Sequence, residues 1–201
     1  MSKNDDFLTD YSLEGELLQI ATFPDPVLKK KAQPVDEFNE NLATLAKDML
    51  YTMYKTPGVG LAAPQVSKSV RLFVMDIDYD REEITSSDQS KTEYRLSNFN
   101  PRVFINPVIL KKDGDFVYEE GCLSVPGIFE EVHRAEHVVI EYYDLNGKKH
   151  VMEAAGLLSV CIQHENDHLD GIVFLERLSM LKRNLLTKKY LKSRKKEHEK
   201  V

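Results

Sequence analysis

The sequence predicts an α+β fold in which antiparallel or mixed sheets pack around a central buried helix, with an amphipathic helix at the C-terminus. Two features lead to this prediction. Short β-branched and aromatic segments cluster in the middle of the 201 residues, and helical patterns lie before and after them. Residues 154–169 are rich in Leu, Ala, Val and Ile on nearly every helical face, which is typical of a buried helix.

Length and composition predict one globular domain over residues 1–201. Hydrophobic residues make up 42% and charged residues 30% of the chain, which excludes a mainly disordered protein. No segment approaches the roughly 18 apolar residues that span a bilayer, so we expect no membrane partner. Residues 1–17 are polar and are expected to be partly flexible. They lack the pattern of a secretory signal, which favours a cytoplasmic location.

The first half of the chain predicts a helix followed by a strand and a long insertion. Residues 23–35 contain three prolines and predict a short helical turn. Apolar residues recur at helical spacing over residues 39–55. Residues 71–77 are β-branched and aromatic and predict a strand. Residues 78–100 are polar without a clear period, so we expect a long loop or insertion.

The second half predicts two hairpins and the buried helix. Residues 103–110 and 116–120 are expected to pair around an Asp-Gly turn. Residues 137–143 and 148–153 are expected to pair around an Asn-Gly turn. Gly171 is a suitable residue just after the end of the helix over residues 154–169.

The C-terminal segment is basic and the rest of the chain is acidic. Residues 176–201 contain ten Lys or Arg and three Glu, although the whole chain has a net charge of −6. An acidic body makes general nucleic-acid binding unexpected, whereas the basic segment alone can contact a polyanion. A solvated helix that balances an acidic domain is the alternative interpretation. We expect a helix over residues 178–201, docked through Leu178, Leu181 and Leu185.

A His-Glu-x-x-His pattern occupies residues 164–168 of the predicted buried helix. His164 and His168 are four residues apart, so their imidazoles lie on one helical face and can bind one metal ion. Glu165 can then handle protons on a water molecule at that ion. Burial of these polar groups without a purpose would be costly. The sequence therefore favours a metal site over a chance pattern.

Two imidazoles require a further protein ligand. A metzincin would have a third His where this chain has Phe174, and a thermolysin-like enzyme needs a downstream Glu where this chain has a basic helix. Cys161 shares the helical face but lies about 10 Å from His168 along the axis, which is too far for one ion. Cys122, preceded by Gly121, is the better candidate. A thiolate and two imidazoles leave one open position, as in catalytic sites.

Residues 58–65 (GVGLAAPQ) form a third feature of interest. Their small side chains admit close backbone approach by a ligand. A tight loop in which Gln65 is merely exposed is the alternative. His133 and His137 are also four residues apart, but their segment continues into an alternating strand pattern, so we expect both at the surface.

Three segments together resemble the signatures of the peptide deformylase family. They are GVGLAAPQ (residues 58–65), EGCLS (residues 120–124) and QHENDHLDG (residues 163–171). All three occur in order and without a mismatch at the defining positions, which is far more specific than His-Glu-x-x-His alone. The resemblance covers roughly residues 18–178.

The resemblance implies a metal-dependent hydrolase that removes the N-formyl group from the initiator methionine of new polypeptides and releases formate. It implies that one divalent ion, typically Fe²⁺ with Zn²⁺ or Ni²⁺ also able to bind, is held by Cys122, His164 and His168. Glu165 would take a proton from water and give it to the leaving amine. Gln65 and the backbone N–H of Leu123 would stabilise the negative charge on the formyl oxygen. Gly60 would pair its backbone with the substrate. The side chain of the methionine would bind in a pocket formed by Val59, Leu157, Val160 and Cys161.

The resemblance also implies the partners. Family members with a basic C-terminal helix contact the ribosome through it, so nascent formyl-Met polypeptides and the ribosome are expected partners of a monomeric, cytoplasmic enzyme. Three alternatives stay open: a zinc metalloprotease, a non-catalytic relative, and a related hydrolase that acts on a different acylated amine.

Overall fold

The computed structural model describes Leu8, residues 11–84 and residues 93–198. The helices with defined bounds are α1 (Glu40–Lys55), α2 (Gly156–Leu169) and α3 (Met180–His198). The strands are β1 (Gly60–Ala62), β2 (Leu72–Met75), β3 (Asp80–Ile84), β4 (Glu93–Ser97), β5 (Arg102–Asp113), β6 (Phe116–Gly121), β7 (Phe129–Arg134), β8 (His137–Tyr143) and β9 (Lys149–Ala155). Short 3-10 turns lie at Pro26–Lys29, Ala63–Val66 and Phe174–Arg177.

The strands form one large antiparallel sheet and two antiparallel pairs. The large sheet has the order β1-β2-β5-β8-β9, and the pairs are β3-β4 and β6-β7. Helix α2 packs against β1 and β2, and Ile162 and Leu169 share an apolar cluster with Phe73 and Phe104. The predicted α+β class, with antiparallel sheets and a C-terminal helix, is therefore confirmed.

Helix α2 begins two residues later than predicted because Ala154 and Ala155 belong to β9 and pair with β8. Its end agrees with the prediction. Gly171 follows with a φ of +74°, and a Cβ atom there would lie 2.6 Å from the carbonyl oxygen of Lys29. Both the left-handed backbone and the close approach require glycine at this position.

Helix α1 forms where the apolar spacing predicts it. The side chain of Asn39 accepts a hydrogen bond from the Leu42 N–H at 3.1 Å, which satisfies a free donor of the first turn. Ala46, Met49, Leu50 and Met53 are completely buried along one helical face. This face fixes the end of α1 against the sheet, and β1 starts five residues after that end.

One predicted hairpin is confirmed and the other is wrong. Strands β8 and β9 pair across the expected turn. Residues 103–110 and 116–120 do not pair with each other, because β5 lies between β2 and β8 while β6 pairs with β7. Gly114 does make a tight turn, with a φ of +72°. Strand β5 pairs with β8 as far as Asp113, so this turn leads from one sheet into another.

The interpretation of residues 78–100 as a loop is wrong for both ends of that segment. Strands β3 and β4 pair from Asp80↔Ser97 to Ile84↔Glu93. The Arg81 guanidinium lies 3.6 Å from the centre of the Tyr94 ring, a cross-strand contact that supports the pair. The described side chains of β3 are largely exposed, so the segment lacks the apolar alternation by which a strand is recognised. The middle of the segment lies outside the described residues.

The predicted docking face of the last helix is wrong at two of its three residues. Leu181 and Leu185 are 81% and 66% exposed, whereas Tyr190 is 2% exposed and packs with Leu186 in an apolar cluster. Leu178 precedes the helix and also contacts this cluster. Leu186, which is partly buried, and Tyr190 are four residues apart and therefore lie on one helical face. This face, and not the one that carries Leu181 and Leu185, packs against the body of the protein.

Two further predictions concern the chain termini and membranes. Tyr11 and Leu13, within the segment expected to be partly flexible, pack against the core cluster around α1. Most of residues 1–10 and residues 199–201 lie outside the described residues.

Among the described residues, no helix is both long enough and apolar enough to cross a membrane.

We expect Tyr190 to anchor helix α3. Its replacement by Ala should lower the free energy of unfolding by about 3 kcal/mol, because a large buried ring would leave a cavity. The control is Leu185→Ala, an exposed position of the same helix, which should change stability by less than about 0.5 kcal/mol. Urea unfolding of both variants tests this, and equal midpoints would contradict the anchoring role.

Candidate metal centre

Two separate segments bring together three atoms that could ligate a metal ion. His164 and His168 lie on α2, and Cys122 directly follows β6. One ligand atom from each of these residues lies within 4.8 Å of the other two. The Cys122 Sγ atom is 3.2 Å from His168 Nε2. A thiolate and two imidazoles at this separation suit a single first-row divalent ion.

The side chains around the three groups prepare them for a metal ion. His164 Nδ1 lies 2.8 Å from Glu120 Oε2, so Nδ1 donates to the carboxylate and Nε2 is the ring atom left for a metal ion. Burial would raise the pKa of Cys122, but the His168 and His164 rings outweigh burial and lower it to about 5. Cys122 is therefore a thiolate at neutral pH, the form that binds metals.

A buried ionic network supports these ligands. Arg134 donates two hydrogen bonds to Glu120, at 2.6 and 2.9 Å, and one to Asp167 at 2.6 Å. All three side chains are almost fully buried. Burial would raise the pKa of Glu120, but the hydrogen bonds from Arg134 and His164 lower it to about 2. Glu120 thus stays ionised and holds the His164 ring in one tautomer.

Glu165 is a buried carboxylate beside the three ligand atoms. Its Oε2 atom has no hydrogen-bond partner among the described residues. Burial, opposed by His164 and His168, raises the pKa of Glu165 to about 7. A Cβ atom on Gly60 would lie 2.4 Å from Glu165 Oε1, so only glycine at position 60 leaves room for this carboxylate. A carboxyl group with a pKa near neutrality is suited to exchange protons with water.

The side chain of Gln65 is held in one orientation. Its Oε1 atom accepts the Ala62 N–H at 2.7 Å, which directs the NH₂ group toward the thiolate. Nε2 donates to Ser124 Oγ at 3.2 Å and lies 3.6 Å from Cys122 Sγ. Gln65 is 1% exposed, so the alternative of a merely exposed side chain is wrong. An amide donor fixed in this way can stabilise negative charge that develops beside the thiolate.

A cleft of about 590 Å³ opens onto these groups. Gly60, Gln65 and Leu123 line it. So do all four residues expected to form the methionine pocket: Val59, Leu157, Val160 and Cys161. Burial, reinforced by Glu165, raises the pKa of Cys161 to about 12. Cys161 therefore remains a neutral thiol, and it is not among the three grouped candidate ligands.

Other residues considered in the sequence analysis are not candidate ligands in the structure. His133 and His137 are exposed on β7 and β8, as predicted. Phe174, at the metzincin ligand position, is buried, and its ring centre lies 6.2 Å from that of His164. His150 lies 2.6 Å from Asp144 through Nε2.

Sequence reasoning missed four residues that orient the site. They are Ser124, which accepts from Gln65, and the ionic network of Glu120, Arg134 and Asp167. Glu120, Ser124 and Asp167 all lie inside the quoted motifs, between or beside the residues that were assigned roles. A charged residue inside the helix expected to be buried is the signal that could have identified Asp167.

Comparisons with known proteins agree with this geometry. A family model described as polypeptide deformylase matches residues 17–184. The chain is 49% identical over 179 residues to the peptide deformylase of Neisseria gonorrhoeae, which covers 89% of this chain and 97% of that protein. It is 48% identical over 182 residues to the peptide deformylase of Chromobacterium violaceum, covering 90% and 98% of the two chains.

Solved structures of such enzymes have the same fold. The chain is similar to a peptide deformylase from Legionella pneumophila, with a TM-score of 0.74 and 40% identity, covering 90% of this chain and 98% of that one. It is also similar to the peptide deformylase of Ehrlichia chaffeensis, with a TM-score of 0.76 and 33% identity, covering 90% and 99%.

We expect Glu120 to control the metal affinity of the centre. Glu120→Gln keeps the shape of the side chain but removes the charge that pairs with Arg134 and orients His164. The apparent metal affinity should fall about tenfold to a hundredfold, as for other residues that support ligating His. Glu119→Gln, at the neighbouring exposed position, is the matched control. Chelator competition measures both affinities, and equal values would refute the orienting role.

Proposed function

The chain belongs to the polypeptide deformylase family, and we propose that Cys122, His164 and His168 hold the divalent ion of its active site. As a member, it is a metal-dependent hydrolase that removes the N-formyl group from the N-terminal formylmethionine of newly made polypeptides and releases formate. The observation that carries the assignment is the meeting of three ligand atoms within 4.8 Å, beside a buried carboxylate and at a cleft.

Glu165 is the proton carrier in the proposed mechanism. An ion held by Cys122, His164 and His168 would supply Lewis acidity for the formyl carbonyl and for the attacking water. The Glu165 carboxylate takes a proton from the attacking water. It then gives this proton to the amine nitrogen as the formyl C–N bond breaks, which yields formate and a free N-terminus. A pKa of about 7 suits both halves of this exchange.

Gln65 and the backbone N–H of Leu123 stabilise the charge that develops on the formyl oxygen in this mechanism. The fixed orientation of the Gln65 amide supports its role, because no reorganisation is needed when the charge appears. Gly60 pairs its backbone with the substrate. The methionine side chain occupies the apolar part of the cleft, formed by Val59, Leu157, Val160 and Cys161.

We propose Fe²⁺ as the ion, with Zn²⁺ or Ni²⁺ able to replace it. The donor set is compatible with all three metals, because one thiolate and two imidazoles bind each of them, and the choice of Fe²⁺ rests on the resemblance to the family. A metzincin-type metalloprotease would need a ligating His at position 174, and this chain has Phe174, whose ring packs near His164. The alternative of a non-catalytic relative has no support either, since the residues proposed as ligands, base and oxyanion donor are all present in the sequence and line or adjoin one cleft.

We further propose that the chain is one metallohydrolase domain that works as a monomer in the cytoplasm and docks on the ribosome through α3. The charge of the helix supports this docking. Its exposed lysines form a dense basic surface: Lys188, Lys189, Lys192 and Lys196. Ribosomal RNA is a polyanion, and phosphate contacts from these side chains require no base recognition.

The ligand assignment predicts opposite outcomes for the two cysteines. Cys122→Ala should remove most of the bound metal, because two imidazoles alone hold a divalent ion weakly. Cys161→Ala should retain stoichiometric metal, since this thiol is neutral and is not one of the three grouped ligands. Metal analysis of both proteins, purified without oxygen, tests the assignment. Full metal content in Cys122→Ala would overturn it.

The proton-carrier role predicts that Glu165→Gln binds metal but turns over slowly. Formate release from a formyl-Met peptide should fall by about 10²-fold or more, as for a lost general acid and base. Gln65→Ala should cost on the order of 10²-fold through the lost oxyanion donor. The metal content of each variant serves as the control. A wild-type rate in metal-loaded Glu165→Gln would exclude the role.

The ribosome proposal is tested by charge reversal rather than by truncation, because truncation would remove the buried Tyr190. Replacement of Lys188, Lys189 and Lys192 by Glu should weaken ribosome binding at low salt by at least about tenfold. Formate release from a short peptide should not change. The control replaces three exposed lysines of the body: Lys30, Lys31 and Lys148. Equal ribosome affinity of the two triple variants would leave α3 as a solvated surface helix.

A further inference from the structure

The segment of residues 78–100 begins and ends on one buried carboxylate. Asp76 is 1% exposed and accepts the Asp78 N–H at 2.9 Å and the Asn100 N–H at 2.7 Å. It also accepts the Tyr54 hydroxyl at 2.6 Å. The chain therefore leaves this carboxylate, forms the β3–β4 pair and returns to the same group. The base of the segment is consequently fixed in position relative to α1, which carries Tyr54.

This base also contacts the glycine-rich loop of the active site. The Tyr79 hydroxyl donates to the Gly58 carbonyl at 3.1 Å, and the Asp76 N–H donates to the Val59 carbonyl at 3.0 Å. Gly58, Val59 and Gly60 all line the catalytic cleft. The only described side chain that donates a hydrogen bond to this loop backbone is Tyr79.

The loop has little freedom on its other sides. A Cβ atom on Gly58 would lie 2.8 Å from Leu123 Cδ1, and one on Gly60 would overlap the Glu165 carboxylate. The Gly58 N–H donates to Met53 at the end of α1. Because the loop is confined on these sides, a small displacement of the Gly58 carbonyl would also shift the backbone of Val59 and Gly60, which lines the cleft. The Tyr79 hydroxyl restrains this carbonyl.

The surroundings of Tyr79 suit a restraint of this kind. Its ring packs edge-on against Tyr54, with ring centres 4.9 Å apart. Burial raises the pKa of Tyr79, so the hydroxyl keeps its proton and remains a donor. The ring is thus positioned by packing, and the hydroxyl adds one specific bond to the active-site loop.

We propose that Tyr79 is a positioning residue for substrate binding, which holds the backbone of residues 58–60 in the conformation that receives the formylated peptide. The proposal rests on the substrate-pairing role of Gly60 given above. When the loop is already ordered in the free enzyme, substrate binding does not have to supply the free energy of ordering it. Loss of the restraint lowers the fraction of molecules ready to bind and raises the apparent dissociation constant by the same factor.

Tyr79→Phe tests this because it keeps the ring and removes only the hydroxyl. KM for a formyl-Met peptide should rise roughly three- to tenfold, the range for one lost hydrogen bond, and kcat should stay within about twofold. The matched control is Tyr11→Phe. Tyr11 packs 5.3 Å from Tyr54 in the same aromatic group, but its buried hydroxyl has no partner among the described residues. KM of this control should equal that of the wild type.

Hydrogen–deuterium exchange supplies a second measurement. Exchange in residues 56–62 should become faster in Tyr79→Phe and should not change in Tyr11→Phe. An unchanged KM in Tyr79→Phe would overturn the proposal, even if its melting temperature fell, because Tyr79 would then only stabilise the fold. A lower kcat with an unchanged KM would also overturn it. Failure of the wild-type enzyme to release formate would instead refute the proposed function.

Discussion

The buried guanidinium of Arg134 connects the strand that leads to Cys122 with the helix that carries His164 and His168. Its hydrogen bonds to Glu120 and Asp167 bridge these two elements, and the contact between Glu120 and His164 Nδ1 joins them directly. Burial of such charges is expensive unless every partner is present, and loss of one partner leaves an uncompensated charge. The network therefore favours one relative placement of β6 and α2, and this placement brings the three candidate ligands together.

The same network separates two carboxylates into different chemical roles. Glu120 is held by Arg134 and His164, and its pKa is lowered to about 2. Glu165 is next to His164 in the sequence and forms no ion pair with Lys or Arg among the described residues, and burial, opposed by His164 and His168, raises its pKa to about 7. Two glutamates at one centre thus differ by environment alone. One remains an anion that orients a ligand, whereas the other is able to accept and release a proton near neutral pH.

Local patterns in the sequence predicted the parts of the structure that depend on local spacing. Helix α2 and the relation of His164, Glu165 and His168 follow from the helical period, and the β8–β9 pair follows from its turn. Cys122 followed as the third candidate once position 174, the downstream segment and Cys161 had been excluded, and the resemblance of whole motifs agreed with this choice. The partners of β5 and β6, and the burial of Tyr190 instead of Leu185, depend on contacts between distant segments. Such contacts have no local pattern, so the sequence alone predicted them wrongly.

The basic helix α3 is attached to an acidic body, yet most of its positive charges form no ion pair with that body among the described residues. The helix is held mainly by apolar contacts, through Leu186 and Tyr190 on one face. Polar contacts at its two ends add to these, because Lys182 pairs with Glu130 and Arg194 donates to Thr22. Positions 188, 189, 192 and 196 carry exposed lysines. Because the docking contacts use few of its positive charges, most of them remain exposed to solvent, where a polyanion can reach them.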